Sequence, residues 1–160
     1  MVDALESPDA ASLHRRLSGL EASQYNAFHL AYADGAFAGL TWGDGNVLRQ
    51  ERLGPGVHVL TEQSLGAGDD GPRRRLFHER VEPGKVLGLE GWLGLLSIHG
   101  ADPRAGTCVH ADAVGYGTRS AFVLHRGPSV EDSACAWTEA RPCISPAHDG
   151  TPLLRSIGRW

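Results

Sequence analysis

Apolar and polar positions change period several times along the chain, and each change marks an element. Ala10, Leu13, Leu17 and Leu20 recur at helical spacing behind Ser7-Pro8-Asp9, an N-cap signature, and Gly19 lies near the expected end. The period then drops to two. Phe28, Leu30 and Tyr32 alternate with Ala27, His29 and Ala31, and Asp34-Gly35 marks a turn. A second strand reads from Ala36 to Trp42 and is closed by Gly43-Asp44-Gly45-Asn46. A third runs from Val47 to Arg52, before Gly54-Pro55-Gly56. Strands joined by turns this short predict an antiparallel meander. Val57 to Thr61 reads as another strand.

The stretch from Gln63 to Gly71 is rich in Gly and Asp and reads as a loop. Pro72 suits the first turn of a helix reaching about Val81, with Arg73, Arg74 and Arg75 solvated and Leu76, Phe77 and Val81 inward. Glu90 to Ile98 has the length and leucine content of a helix, although Gly91 and Gly94 weaken it. The last third returns to strand patterns at Thr107 to His110, Ser120 to Leu124 and Ala134 to Thr138, with loops at 111–115 and 127–132. Pro152-Leu153-Leu154 opens a short terminal helix or simply packs. Strand runs separated by one helical insertion predict a single α+β domain, 1–160, with antiparallel sheets and helices.

Composition narrows the function classes. The 21 glycines favour a turn-rich, strand-containing chain over a helical bundle. A formal charge of −4 and a pI near 6.0 lack the basic surface that non-specific nucleic-acid binding needs, so no nucleic-acid partner is expected. No apolar run reaches the roughly 18 residues of a membrane-spanning helix. The N-terminus carries acids where a secretory signal would carry bases, and a soluble, cytoplasmic protein is expected. Cys108, Cys135 and Cys143 make an odd, low count, which reads as reduced thiols rather than a disulfide framework.

The strongest local motif is Tyr116-Gly117-Thr118-Arg119-Ser120, leading into Ala121-Phe122-Val123-Leu124. Glycines at 115 and 117 permit positive φ and close backbone approach. Amides there can form an anion-binding nest, with Arg119 a bidentate donor to a carboxylate or phosphate. The structural alternative is a glycine-rich turn whose arginine pairs with a surface acid. Among the eight histidines, Cys108-Val109-His110 places two potential ligands on one face of a strand, and His99 could approach across a turn. Four ligands at a recognisable spacing are lacking, as is Cys-x-x-Cys-His, so no metal site is assigned from sequence. Nucleophile-elbow, phosphate-loop, dinucleotide and His-Glu-x-x-His motifs do not occur.

Tyr116-Gly117-Thr118-Arg119-Ser120 resembles a signature of the Asn-Arg-Asp-Glu family, also called the transport and Golgi organization protein 2 family. Tyr25-Asn26-Ala27-Phe28-His29-Leu30 is similar to that family's Tyr-Asn-x-Phe-x-Leu. The segment Gly56-Val57-His58-Val59-Leu60-Thr61 is similar to its Gly-x-His-x-Leu-Thr/Ser. Arg141-Pro142-Cys143-Ile144-Ser145-Pro146 is a weaker echo of its C-terminal tail. In order, the matches run from about residue 20 to 146. The resemblance implies part of an N-terminal-nucleophile-hydrolase-like αββα sandwich, with the family's N-terminal half absent. Neither the Asn-Arg-Asp-Glu tetrapeptide nor a Met-Cys start is present; the chain begins Met1-Val2-Asp3, and no catalytic residue is assigned.

The function implied is binding or trafficking of a small ligand, with haem the candidate cofactor. The ligand-binding set is Tyr116, Gly117, Thr118, Arg119, Asn26, His58 and Thr61. One alternative is an amide hydrolase whose nucleophilic Cys lies upstream or on another chain, with Arg119 and Asn26 as substrate and oxyanion contacts. The other is a truncated remnant without activity. A homodimer or a complementing N-terminal half is the expected protein partner.

Overall fold

In the computed structural model, which describes residues 6–61, 71–81 and 87–157, Asp9 accepts the Ser12 amide at 2.6 Å and starts helix α1 (Ala10–Leu17). Ala10, Leu13 and Leu17 form its buried face, as their spacing requires. By its contacts the chain divides into two units, Met1–Ala67 and Gly68–Trp160.

In the first unit, strands β1 (Phe28–Ala33), β2 (Ala38–Gly43) and β3 (Leu48–Arg52) form an antiparallel sheet in sequence order. Aspartates build both turns. Asp34 accepts the amides of Ala36 and Phe37 at 2.8 and 2.9 Å, and Asp44 accepts those of Asn46 and Val47 at 2.9 and 2.8 Å. Burial is deepest on the central strand, where Leu40 and Thr41 are fully enclosed. A polar chain crosses this interior. His14 Nδ1 bonds the Tyr32 hydroxyl, which lies 2.9 Å from Thr41 Oγ1. Gln50 Nε2 donates to that same Oγ1 at 2.9 Å and to the His14 carbonyl at 2.8 Å. The helix and all three strands thus contribute to one satisfied network.

The strand expected at Val57 to Thr61 does not form; these residues belong to no regular element. The Leu53 amide still bonds the Ala38 carbonyl at 2.9 Å. Pro55 then offers no amide, and Gly56 adopts φ 144°, which carries the chain off the ladder. The loop expected from Gln63 to Gly71 lies outside the described residues, apart from Gly71 at the start of the next helix.

The second unit contains α2 (Gly71–Arg80), α3 (Leu89–Leu96) and a small hairpin of β4 (His110–Ala111) and β5 (Tyr116–Gly117). These are followed by an antiparallel sheet of β6 (Phe122–His125), β7 (Ala134–Thr138) and β8 (Ala147–Asp149), and then α4 (Thr151–Ile157). Helix α3 packs on the sheet through Leu93 against Ala121, Val123 and Ala136, with Leu89, Trp92 and Leu96 around them. Its Gly91 and Gly94 lie on the exposed side and leave that face intact. Alternation along β6 puts Phe122 and Leu124 on the opposite face, 58% and 45% exposed. Of the strand expected over Thr107 to His110 only His110 lies in β4, which runs on into Ala111 of the expected loop. The loop expected at 111–115 contains a 3-10 turn, Asp112–Val114. The fold is α+β with antiparallel sheets. Among the described residues no helix is long and apolar enough to cross a membrane.

Candidate functional site

The site grows from the segment that follows α3. Thr107 Oγ1 donates to the Leu95 carbonyl and accepts the Ile98 amide at 3.2 Å, capping the helix end. The Cys108 amide then bonds the Ile98 carbonyl at 3.0 Å. This return is tight. A Cβ on Gly100 would lie 2.7 Å from the Gly106 nitrogen, and one on Gly106 would lie 2.5 Å from the Gly100 nitrogen. Only a glycine pair lets the two strands of this loop touch, and their contact brings His99 back beside Cys108.

The Tyr116 to Arg119 run secures the same segment from the other side. The Thr118 amide donates to the Val109 carbonyl at 3.0 Å, and the Val109 amide donates to Thr118 Oγ1 at 2.9 Å. Val109, between Cys108 and His110, therefore has both backbone groups held by one residue. Gly115 takes φ 65° to turn the hairpin. Gly117 is needed for room, since a Cβ there would lie 2.9 Å from the Val109 oxygen.

Pinned in this way, Cys108 and His110 project to one side, where the turn at Arg141 to Ser145 presents Cys143. The two sulfurs lie 3.5 Å apart, and His110 Nε2 is 3.4 Å from Cys108 Sγ and 3.3 Å from Cys143 Sγ. The His99 ring stands edge-on to His110, centroids 4.6 Å apart. One donor atom from each of His99, Cys108, His110 and Cys143 lies within 4.8 Å of the others. Cys108 is buried, and burial, followed by its bond to Cys143, pushes its thiol pKa up.

Behind the cluster, Arg141 Nη1 donates to His110 Nδ1 at 3.0 Å and to Asp112 Oδ2 at 3.1 Å, while Nη2 bonds Asp112 Oδ1. This hydrogen bond holds the Asp112 carboxyl below its ordinary pKa and raises that of Arg141. A guanidinium only donates, so Nδ1 of His110 accepts and the neutral ring carries its proton on Nε2, facing the sulfurs. In that tautomer Nε2 carries a proton and does not accept one from either thiol.

Arg141 and Asp112 also line a cavity of about 800 Å³, completed by Gly115 to Ser120, Glu139, Ala140 and Ile144. Its volume falls in the range of small-molecule sites, roughly 300 to 1,000 Å³. Tyr116 and Ile144 offer apolar surface, 53% and 75% exposed. Arg119 makes no hydrogen bond or ion pair within the described residues, so the surface-acid partner of a structural turn is not found there.

Tyr116, Gly117, Thr118 and Arg119 are thus brought together on one wall, whereas Asn26, His58 and Thr61 belong to the first unit and are not part of that lining. Asn26 is exposed ahead of β1, and His58 Nε2 bonds the Gly54 carbonyl at 2.7 Å. Three of the clustered donors, His99, Cys108 and His110, were legible from their spacing. Cys143 was not, because it lies 35 positions from Cys108. Its neighbour Arg141 carried no chemical signature in sequence either.

No family model matches this chain, and neither a curated protein nor a solved structure does.

Proposed function

We propose that the chain is a small-ligand binding or trafficking protein of the Asn-Arg-Asp-Glu type, its ligand a carboxylate-bearing molecule held in the cavity at Tyr116 to Ser120. The observation that carries this reading is Arg119, a guanidinium with no partner among the described residues, at a cavity of about 800 Å³. An unpaired arginine beside exposed apolar surface suits a ligand with an acidic end and a flat apolar body. Haem, with carboxylates at one edge of such a body, is the ligand that the family resemblance nominates. The antiparallel sheets are consistent with part of the αββα sandwich that the same resemblance implies.

Titration of the full chain with haemin, followed by absorbance, tests the reading. A saturable change at micromolar haemin is expected. Arg119→Ala should weaken it at least about tenfold, the effect of losing one charge-assisted hydrogen bond. No saturable change, or binding indifferent to Arg119→Ala, would refute haem at this site.

A further inference from the structure

We propose that His99, Cys108, His110 and Cys143 form a tetrahedral zinc site that fastens the three loops carrying them. With zinc about 2.3 Å from sulfur and about 2.05 Å from nitrogen, tetrahedral angles place two sulfurs about 3.8 Å apart. The same angles place each sulfur about 3.6 Å from an imidazole nitrogen. The chain holds its sulfurs at 3.5 Å, and His110 Nε2 at 3.4 and 3.3 Å from them. Three of the four donors therefore already sit within about 0.3 Å of the required edges. His99, exposed and within 4.8 Å of the others, completes the set by moving about 1 Å.

Donor chemistry selects the ion. Two thiolates and two imidazoles suit zinc and exclude the oxygen-seeking magnesium and calcium. Binding forms two zinc–sulfur bonds and releases both thiol protons to solvent, so the dication and its two thiolates make a neutral centre. Such a centre tolerates the burial of Cys108. A disulfide would use the same sulfurs but gives no reason for two imidazoles to converge on them.

The outer shell follows from the proton on His110. Zinc at Nε2 moves that proton to Nδ1, which can no longer face the Arg141 guanidinium. Asp112, already bonded to Arg141, is the acceptor at hand. Loading thus exchanges Arg141 for Asp112 at Nδ1, giving a carboxylate–histidine–zinc arrangement. It also frees one guanidinium nitrogen of a residue that lines the cavity.

The test is cobalt(II) titration of the reduced, chelator-treated full chain, followed by displacement with zinc(II). The expected result is one equivalent of cobalt with the intense visible bands of tetrahedral geometry and sulfur-to-cobalt charge transfer. Cys108 and Cys143 should then resist alkylation until the metal is removed. Cys143→Ser should weaken binding more than about a hundredfold, beyond what an outer-shell partner alone costs. His99→Gln, at an exposed position that no core contact depends on, should lower affinity while the circular dichroism stays that of the wild type. Absence of saturable uptake by the reduced chain would overturn the proposal. So would an octahedral spectrum, wild-type binding in both variants, or a Cys108–Cys143 disulfide forming in place of metal uptake.

Discussion

A methyl group on Gly117 would sit 2.9 Å from the Val109 carbonyl oxygen, which already accepts the Thr118 amide at 3.0 Å. Gly117→Ala must therefore push the hairpin away from the segment that carries Cys108 and His110. We expect a loss of about 1–3 kcal/mol, the usual cost of an extra group in a filled space. Denaturant unfolding would measure it, and Cys108, almost wholly buried in the wild type, should alkylate faster in the variant. Unchanged stability and unchanged alkylation would mean that the hairpin does not hold the segment. Arg119, two residues on, is placed differently: it is exposed and lines the cavity. One short motif thus combines a backbone task at Gly117 and Thr118 with a ligand task proposed for Arg119.

At the scale of elements, the first unit is organised by the polar chain through Thr41. Its hydroxyl, fully buried, meets Tyr32 of β1 and Gln50 of β3, and these tie back to His14 of α1. Thr41→Val keeps the shape and removes the shared oxygen, leaving the half-buried Gln50 amide donor short of a partner. The expected cost is about 1–3 kcal/mol, read as a lower denaturant midpoint with an unchanged m-value. A neutral result would show that water replaces the hydroxyl. The meander and α1 were legible because each rests on local chemistry: alternation, turn aspartates and an N-cap. Val57 to Thr61 has the same alternation yet forms no strand, since a strand also needs a partner and Pro55-Gly56 diverts the chain. Strand β8, only three residues long, has no period to read and exists because β7 pairs with it.

Across the whole molecule, exposed aspartates placed at turns and helix starts make acid the sensitive direction. The Asp44 carboxyl, accepting the amides of Val47 and Asn46 and then bonding Arg49, is lowered to a pKa of about 2. Asp9 is lowered by the Ser12 amide, and Asp149 by the side chain and amide of Thr151. Each folded-state pKa lies below the ordinary 3.8. The stabilisation is therefore fully present above about pH 4 and is lost as pH falls toward about 2. Denaturant midpoints should be level from pH 6 to 5 and decline below about 4, and Asp44→Ala should show a shallower decline. A midpoint unchanged down to pH 2.5 would contradict this assignment.

Several features carried within about ten residues are legible along the chain: the capped first helix, the meander, the α+β class, and the Cys108-x-His110 pair with His99 near it. These follow from side-chain period and turn chemistry, which act locally. The candidate site, by contrast, exists only in the folded chain. Cys143 and Arg141 reach His110 through a turn more than 30 positions away, and two facing glycines allow the loop at His99 to close. Neither the closeness of two backbones nor the tautomer that Arg141 imposes on His110 has any signature along the chain. Both arise from contacts between segments whose separation in sequence bears no relation to their distance in space.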